Sequence, residues 1–146
     1  MARIICATFL KMIPLALIIA MAGIVSSPVT ATENVSVSIA DFFGEIIFKE
    51  PIAREQFLER QMGTMVFGKA VFKSAGEYPR HERKFRIVAA PPEESINAIY
   101  YIFTNNKNFF RRLKAESVFD FRGKLTLATP TNANWDEFIF DIVLDE

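Results

Sequence analysis

The side chains here with the means for acid–base, nucleophilic or metal chemistry are one histidine, one cysteine and a few neighbouring carboxylates. Nucleophilic catalysis of the Ser-His-Asp or Cys-His type needs an imidazole held between a nucleophile and an acid. His81 lies instead in Tyr78-Pro79-Arg80-His81-Glu82-Arg83-Lys84, a charged stretch that reads as a solvated surface loop. The paired carboxylates Glu93-Glu94, Asp136-Glu137 and Asp145-Glu146 are sequence neighbours in turns or at an end. A glycosidase pair faces across a cleft, roughly 5–9 Å apart. Cys6 and His81 are too few for a disulfide framework or an ordinary zinc site. No phosphate loop or dinucleotide fingerprint is present. No catalytic residue, metal or cofactor is therefore expected.

Binding chemistry is better represented. Tyr78, Arg80, His81, Arg83, Lys84, Arg86, Tyr101 and Trp135 combine aromatic rings with cations. Rings stack on bases or sugars, and arginine pairs with phosphate or carboxylate. The plainer reading is that Arg80 to Arg86 is a solvated loop balanced by Glu77 and Glu82, with Trp135 capping the core. The basic group Lys107, Arg111, Arg112 and Lys114 reads as the outer face of a helix, which ordinarily serves solubility.

Composition bounds what these residues serve. The 146 residues suffice for one modest domain. Seventeen basic and seventeen acidic residues cancel, which argues against a general nucleic-acid coater. Residues 1–31 hold most of the apolar excess. Arg3 and Lys11 are followed by an apolar run from Ile13 to Val25 and small residues up to Ala31, the layout of a secretory signal peptide cut after Ala31. A retained anchor is the alternative, although the run is short for a membrane span. Without this label the charge is 15 − 17 = −2, and no cysteine is left. An exported domain of this kind must stand on its core alone, and 14 of the 15 phenylalanines belong to it.

The expected organisation is a signal peptide at 1–31, a polar leader at 32–37, a helical segment at 38–62 and a barrel at 63–146. Ser38 to Asp41 reads as a capping box opening a helix through Ile39, Phe42, Phe43, Ile46 and Ile47. Pro51 opens a second helix, with Ala53, Phe57 and Gln61 on one face and Gly63 closing it. The period then changes to two. Strands are expected at 64–74, 84–90, 96–104, 118–128 and 137–144, with a bend at Gly68 and a helix at 105–115 capped by Asn105 or Asn106. Phe119, Phe121, Gly123, Leu125 and Leu127 are placed on the core face of the fourth strand.

Three strands, a helix and two strands form the element order of a five-stranded Greek-key barrel of the OB type, with its helix between strands 3 and 4. A helix packed on an antiparallel meander, as in cystatin-like domains, is the rival; the helix at 105–115 counts against it. The chain resembles the small exported OB-like domains of the tRNA-anti-like kind. Ala53 and Phe57 match their opening helix, Val66-Phe67-Gly68-Lys69-Ala70-Val71 their first strand, and Phe119-Asp120-Phe121-Arg122-Gly123-Lys124 a later one. The resemblance implies binding on the strand 2–3 face between the loops joining strands 1–2 and 4–5, which would gather Tyr78, Arg80, His81, Arg83, Lys84, Arg86, Tyr101, Asn132, Asn134 and Trp135 at one mouth of the barrel. The expected function is a non-enzymatic binding module of the bacterial envelope, periplasmic or secreted, with a protein or small envelope ligand as partner. Oligonucleotide or oligosaccharide binding is the alternative, with nucleic acid not favoured, and an enzyme of unrecognised type ranks third.

Overall fold

The computed structural model describes residues 36–146. The expected signal peptide, its expected cut after Ala31 and most of the expected leader lie outside the described residues. The elements run β1 (Ser36–Ser38), α1 (Ile39–Ile47), α2 (Pro51–Gln61), β2 (Met65–Glu77), β3 (Phe85–Ala90), β4 (Ala98–Thr104), α3 (Lys107–Arg112), β5 (Val118–Pro130) and β6 (Phe138–Leu144). None of the described helices is long and apolar enough to cross a membrane.

Strands β2 to β6 close into the expected OB-like five-stranded barrel, in the order β2-β3-β4-β6-β5 and back to β2. The crossover through α3 makes β4 and β6 parallel, with Ala98 beside Phe138 and Phe103 beside Val143. Closure falls to the long strands: β2 pairs β5 through Met65–Val71 and β3 through Val71–Glu77. A strand that serves two partners must coil sharply, and β2 does so at a bulge between Phe72 and Ser74. Gly68 pairs in register with Phe121. A Cβ there would press to 2.7 Å from the Ile39 side chain, so Gly68 makes room for α1. Gly123 likewise admits β6, because a Cβ would meet the Val143 carbonyl and Ile142.

Two helical layers plug opposite ends of the barrel. At the end where β6 begins, Phe42 packs edge-on to Phe140 and Phe43 edge-on to Phe138. At the other, Phe109 meets Phe119 and Phe110 meets Phe85. Between them Val66, Ile87, Tyr100, Ile102, Leu125, Phe138, Phe140 and Ile142 are fully buried. Each such side chain contributes roughly 1.5–3 kcal/mol of transfer free energy, and this core holds the domain without a disulfide.

Several local expectations need correction. Ser36–Ser38, placed partly in the leader, is a strand that pairs in parallel with Met65–Phe67. Ser38 precedes α1 but makes no side-chain cap bond, so there is no capping box. In α2 Leu58 is the buried residue and Ala53 is exposed. β2 runs three residues past Ser74 because Ala75, Gly76 and Glu77 pair with Ile87, Arg86 and Phe85. α3 is shorter than 105–115: Asn106 caps it by accepting from the Asn108 and Phe109 N–H groups, and the backbone turns extended at Leu113. Leu127 points to solvent, 47% exposed, because a bulge between Leu125 and Leu127 reverses the alternation of β5.

Candidate ligand-binding face

The outer surface of β3, β4 and β6 departs from the wet face of an ordinary barrel. Val88, Ile99, Tyr101, Ile139 and Val143 are half-buried there, and Phe103 is almost fully buried. Register places Val88 opposite Tyr101 and Arg86 opposite Phe103, while Tyr101 stands beside Asp141. The loop Tyr78–Lys84 folds over one end of this face. Its backbone is tied by Tyr78 N–H to the Lys84 carbonyl at 2.7 Å and by Lys84 N–H to the Asn105 side chain at 3.0 Å.

His81 is not a free loop residue. Its ring lies flat on Phe103, with centroids 4.0 Å apart, and its Nδ1 accepts from the Arg83 N–H at 3.0 Å. The sequence shows the charges around His81 but not the Phe103 platform, which arrives from another strand. Arg86 rests its guanidinium against two rings, Tyr78 at 4.6 Å and Tyr101 at 4.8 Å. Rings occupy the flat faces of a guanidinium and leave its N–H edge free.

Tyr78, Arg80, His81, Arg86 and Tyr101 line one open depression of about 380 Å3, with Phe103, Leu127, Thr129, Ile139 and Asp141. Asp141 was not among the expected site residues. A lone acid between Ile139 and Val143 on an otherwise apolar strand was the available signal. One of its carboxylate oxygens is buried without a hydrogen-bond partner among the described residues. Burial raises its pKa above the usual carboxylate range, although His81 and Arg86 nearby pull it down. Arg86 and Asp141 do not form an ion pair. The depression is thus lined by the guanidinium of Arg86 and the side chain of Asp141.

The remaining expected residues lie elsewhere. Arg83 approaches the Glu146 carboxylate at 3.8 Å. Lys84 lines a separate depression with Glu77, Glu82 and Phe85, which His81 also borders. Trp135 packs edge-on against Phe138 at the opposite end of the barrel. The expectation of one shared mouth fails for a topological reason: β4 and β6 are parallel, so the loop entering β3 and the loop entering β6 flank opposite ends of the face. Asn132, Asn134 and Trp135 belong to the second loop.

That second loop is held by Arg54, whose role nothing in the sequence announces. Its guanidinium donates to the carbonyls of Ile47 at 2.9 Å, Lys49 at 2.6 Å, Asn134 at 3.3 Å and Trp135 at 3.5 Å. The carboxylates dismissed as catalytic pairs have structural partners or none: Asp136 accepts from Asn132, and Glu146 accepts from Thr104 and from the Asn105 and Asn106 N–H groups. Burial opposes the Glu146 charge, but these bonds and Arg83 outweigh it and lower its pKa. Among the described residues no group of three or more His, Cys, Asp or Glu converges as a metal site.

No family model matches this chain, and no curated protein matches it. Among solved structures, an aspartyl-tRNA synthetase assignment from Leishmania major Friedlin superposes with a TM-score of 0.38 at 9% identity, covering 80% of this chain and 21% of the other. The chain thus spans about a fifth of the length of that protein.

Proposed function

We propose that this chain is an exported, non-enzymatic binding module of the bacterial envelope, of the small OB-like, tRNA-anti-like kind, that holds its ligand on the outer face of β3, β4 and β6. One observation carries the reading. Arg86, set against the rings of Tyr78 and Tyr101, and the Asp141 side chain line one depression on a half-buried apolar surface. The basic start, apolar run and small residues up to Ala31 support export.

The test is an amide-resolved NMR survey of the purified protein with peptide, saccharide and oligonucleotide pools. Shifts that cluster on β3, β4 and β6 and vanish in Arg86→Ala and Tyr101→Ala variants are expected. Shifts confined to the rest of the barrel overturn the binding face. Turnover of a hydrolase panel that is abolished by His81→Ala overturns the non-enzymatic reading.

Oligonucleotide or oligosaccharide binding is the second reading, favoured by the two tyrosines and Arg86 at one place. Phosphate contacts are strongest at low ionic strength, so failure of dT12 to bind there removes its nucleic-acid half.

A further inference from the structure

Past Leu127 the proposed binding face continues into a second groove of about 360 Å3. Leu127 and Thr129 line both depressions, so the two are contiguous across β5. The bulge in β5 creates this continuity by turning Leu127 outward. One wall of the second groove is a helical stripe of α2, Glu55, Leu58 and Glu59, at the spacing that puts residues on one face, with Met62 just past the helix end. The other wall is the end of β5, and Trp135 closes the groove. Trp135 holds a left-handed backbone, φ 58°, a conformation costly for a bulky residue and maintained here by the Arg54 bonds to its loop.

The two ends carry opposite charge. Arg80 and Arg86 line the first depression with Asp141, whereas among the described residues Glu55 and Glu59 are the only charged ones lining the second. The way from Arg86 on β3 to Leu127 on β5 crosses three strand spacings, roughly 15 Å, the reach of about five extended residues. A uniformly anionic nucleic acid meets repulsion at Glu55 and Glu59, and a neutral saccharide uses neither end charge. A polypeptide carries acidic, apolar and basic side chains in a row.

We infer that the two depressions form one track for an extended peptide segment of a partner protein, acidic where it meets Arg80 and Arg86, apolar over Leu127 and Trp135, and basic where it meets Glu55 and Glu59. This inference rests on the proposed binding face and names its ligand class. Charge complementarity at both ends fixes the direction of the peptide and its register.

The experiment selects a random dodecapeptide phage library on the immobilised purified protein, then measures the enriched peptides by Trp135 fluorescence. Trp135 is the only tryptophan in the chain, so its emission reports the groove directly. Enriched sequences are expected to carry acids at one end and Lys or Arg at the other, with apolar residues between. They should shift Trp135 emission to the blue and lose roughly tenfold or more in affinity for an E55K/E59K variant. An R80E/R86E variant should lose a similar factor, and each reversal should be rescued by the matching reversal in the peptide. Enrichment without charge order, or binding indifferent to E55K/E59K, overturns the track. If no peptide is enriched while dT12 or a saccharide binds in an Arg86-dependent way, the peptide class falls and the binding face stands. Peptides that bind equally well to R80E/R86E and Tyr101→Ala overturn the face itself. Self-association of the protein that E55K/E59K abolishes makes a second copy the occupant and also overturns the inference.

Discussion

Replacing Tyr100 with phenylalanine should stabilise the barrel. Tyr100 is the largest fully buried side chain, ringed by Phe121 at 5.6 Å and Phe140 at 6.1 Å. Among the described residues its hydroxyl has no hydrogen-bond partner. An unsatisfied buried hydroxyl costs roughly 1–3 kcal/mol, and removing one oxygen leaves a void smaller than a methyl group, so a net gain of about 1 kcal/mol is expected. For a domain of this size that raises Tm by about 4 °C. Burial, reinforced by Glu93, also pushes the phenol pKa well above its ordinary 10.0. A raised pKa means the stability is intact below the unfolded value and is lost as pH rises through the folded one. The wild type should therefore fall further behind Tyr100→Phe above about pH 10. Urea unfolding at pH 7 and thermal scans at pH 7 and pH 10.5 measure both effects. A loss of 1 kcal/mol or more at pH 7 refutes the reasoning, because it means the hydroxyl is bonded, for instance to a trapped water.

Four further substitutions probe other parts of the molecule. Arg54→Met removes the donor that joins α1 to the β5–β6 loop; it should cost about 2–4 kcal/mol by urea unfolding and broaden the amide signals of Asn132–Asp136. Gly123→Ala should destabilise by about 3 kcal/mol or more, because the added methyl meets the backbone of β6, whereas Gly76→Ala, with open space around it, should stay within about 1 kcal/mol. Asp141→Asn should equal or exceed the wild type in stability at pH 7. The folded-state pKa of Asp141 is raised, mainly by burial, so that advantage should fade as pH drops through the carboxylate range, and urea midpoints at pH 7 and pH 3 check it.

The barrel was legible because its signal is local. Phe119, Phe121 and Leu125 alternate with charged neighbours, and a half-buried strand must show that period. The same rule misplaced Leu127, since a bulge depends on pairing with β6 and leaves no mark in β5 alone. β1 escaped notice because three residues are too short for any period to appear. Much of the candidate face was also readable: Tyr78, Arg80, His81, Arg86 and Tyr101 do share one depression. Its orientation was not readable, because which loops flank which end follows from the direction of β6 relative to β4. Arg54 was illegible for a related reason. Its partners are backbone carbonyls, two of them some 80 residues away, and a carbonyl has no residue type.

The parallel pairing of β4 with β6 also governs how the chain reaches this fold. β2, β3 and β4 follow one another as hairpins and assemble from neighbouring sequence. β6 joins β4 across 40 residues, Ala98 to Phe138, and β5 joins β2 across 59, Met65 to Lys124. Loop closure of that span comes late and slowly. Until β6 arrives, β4 presents the edge of an apolar strand, the kind of surface on which partly folded chains recruit one another. Folding intermediates that have formed the meander are thus the aggregation-prone species, and a chain shortened before Phe138 would accumulate there.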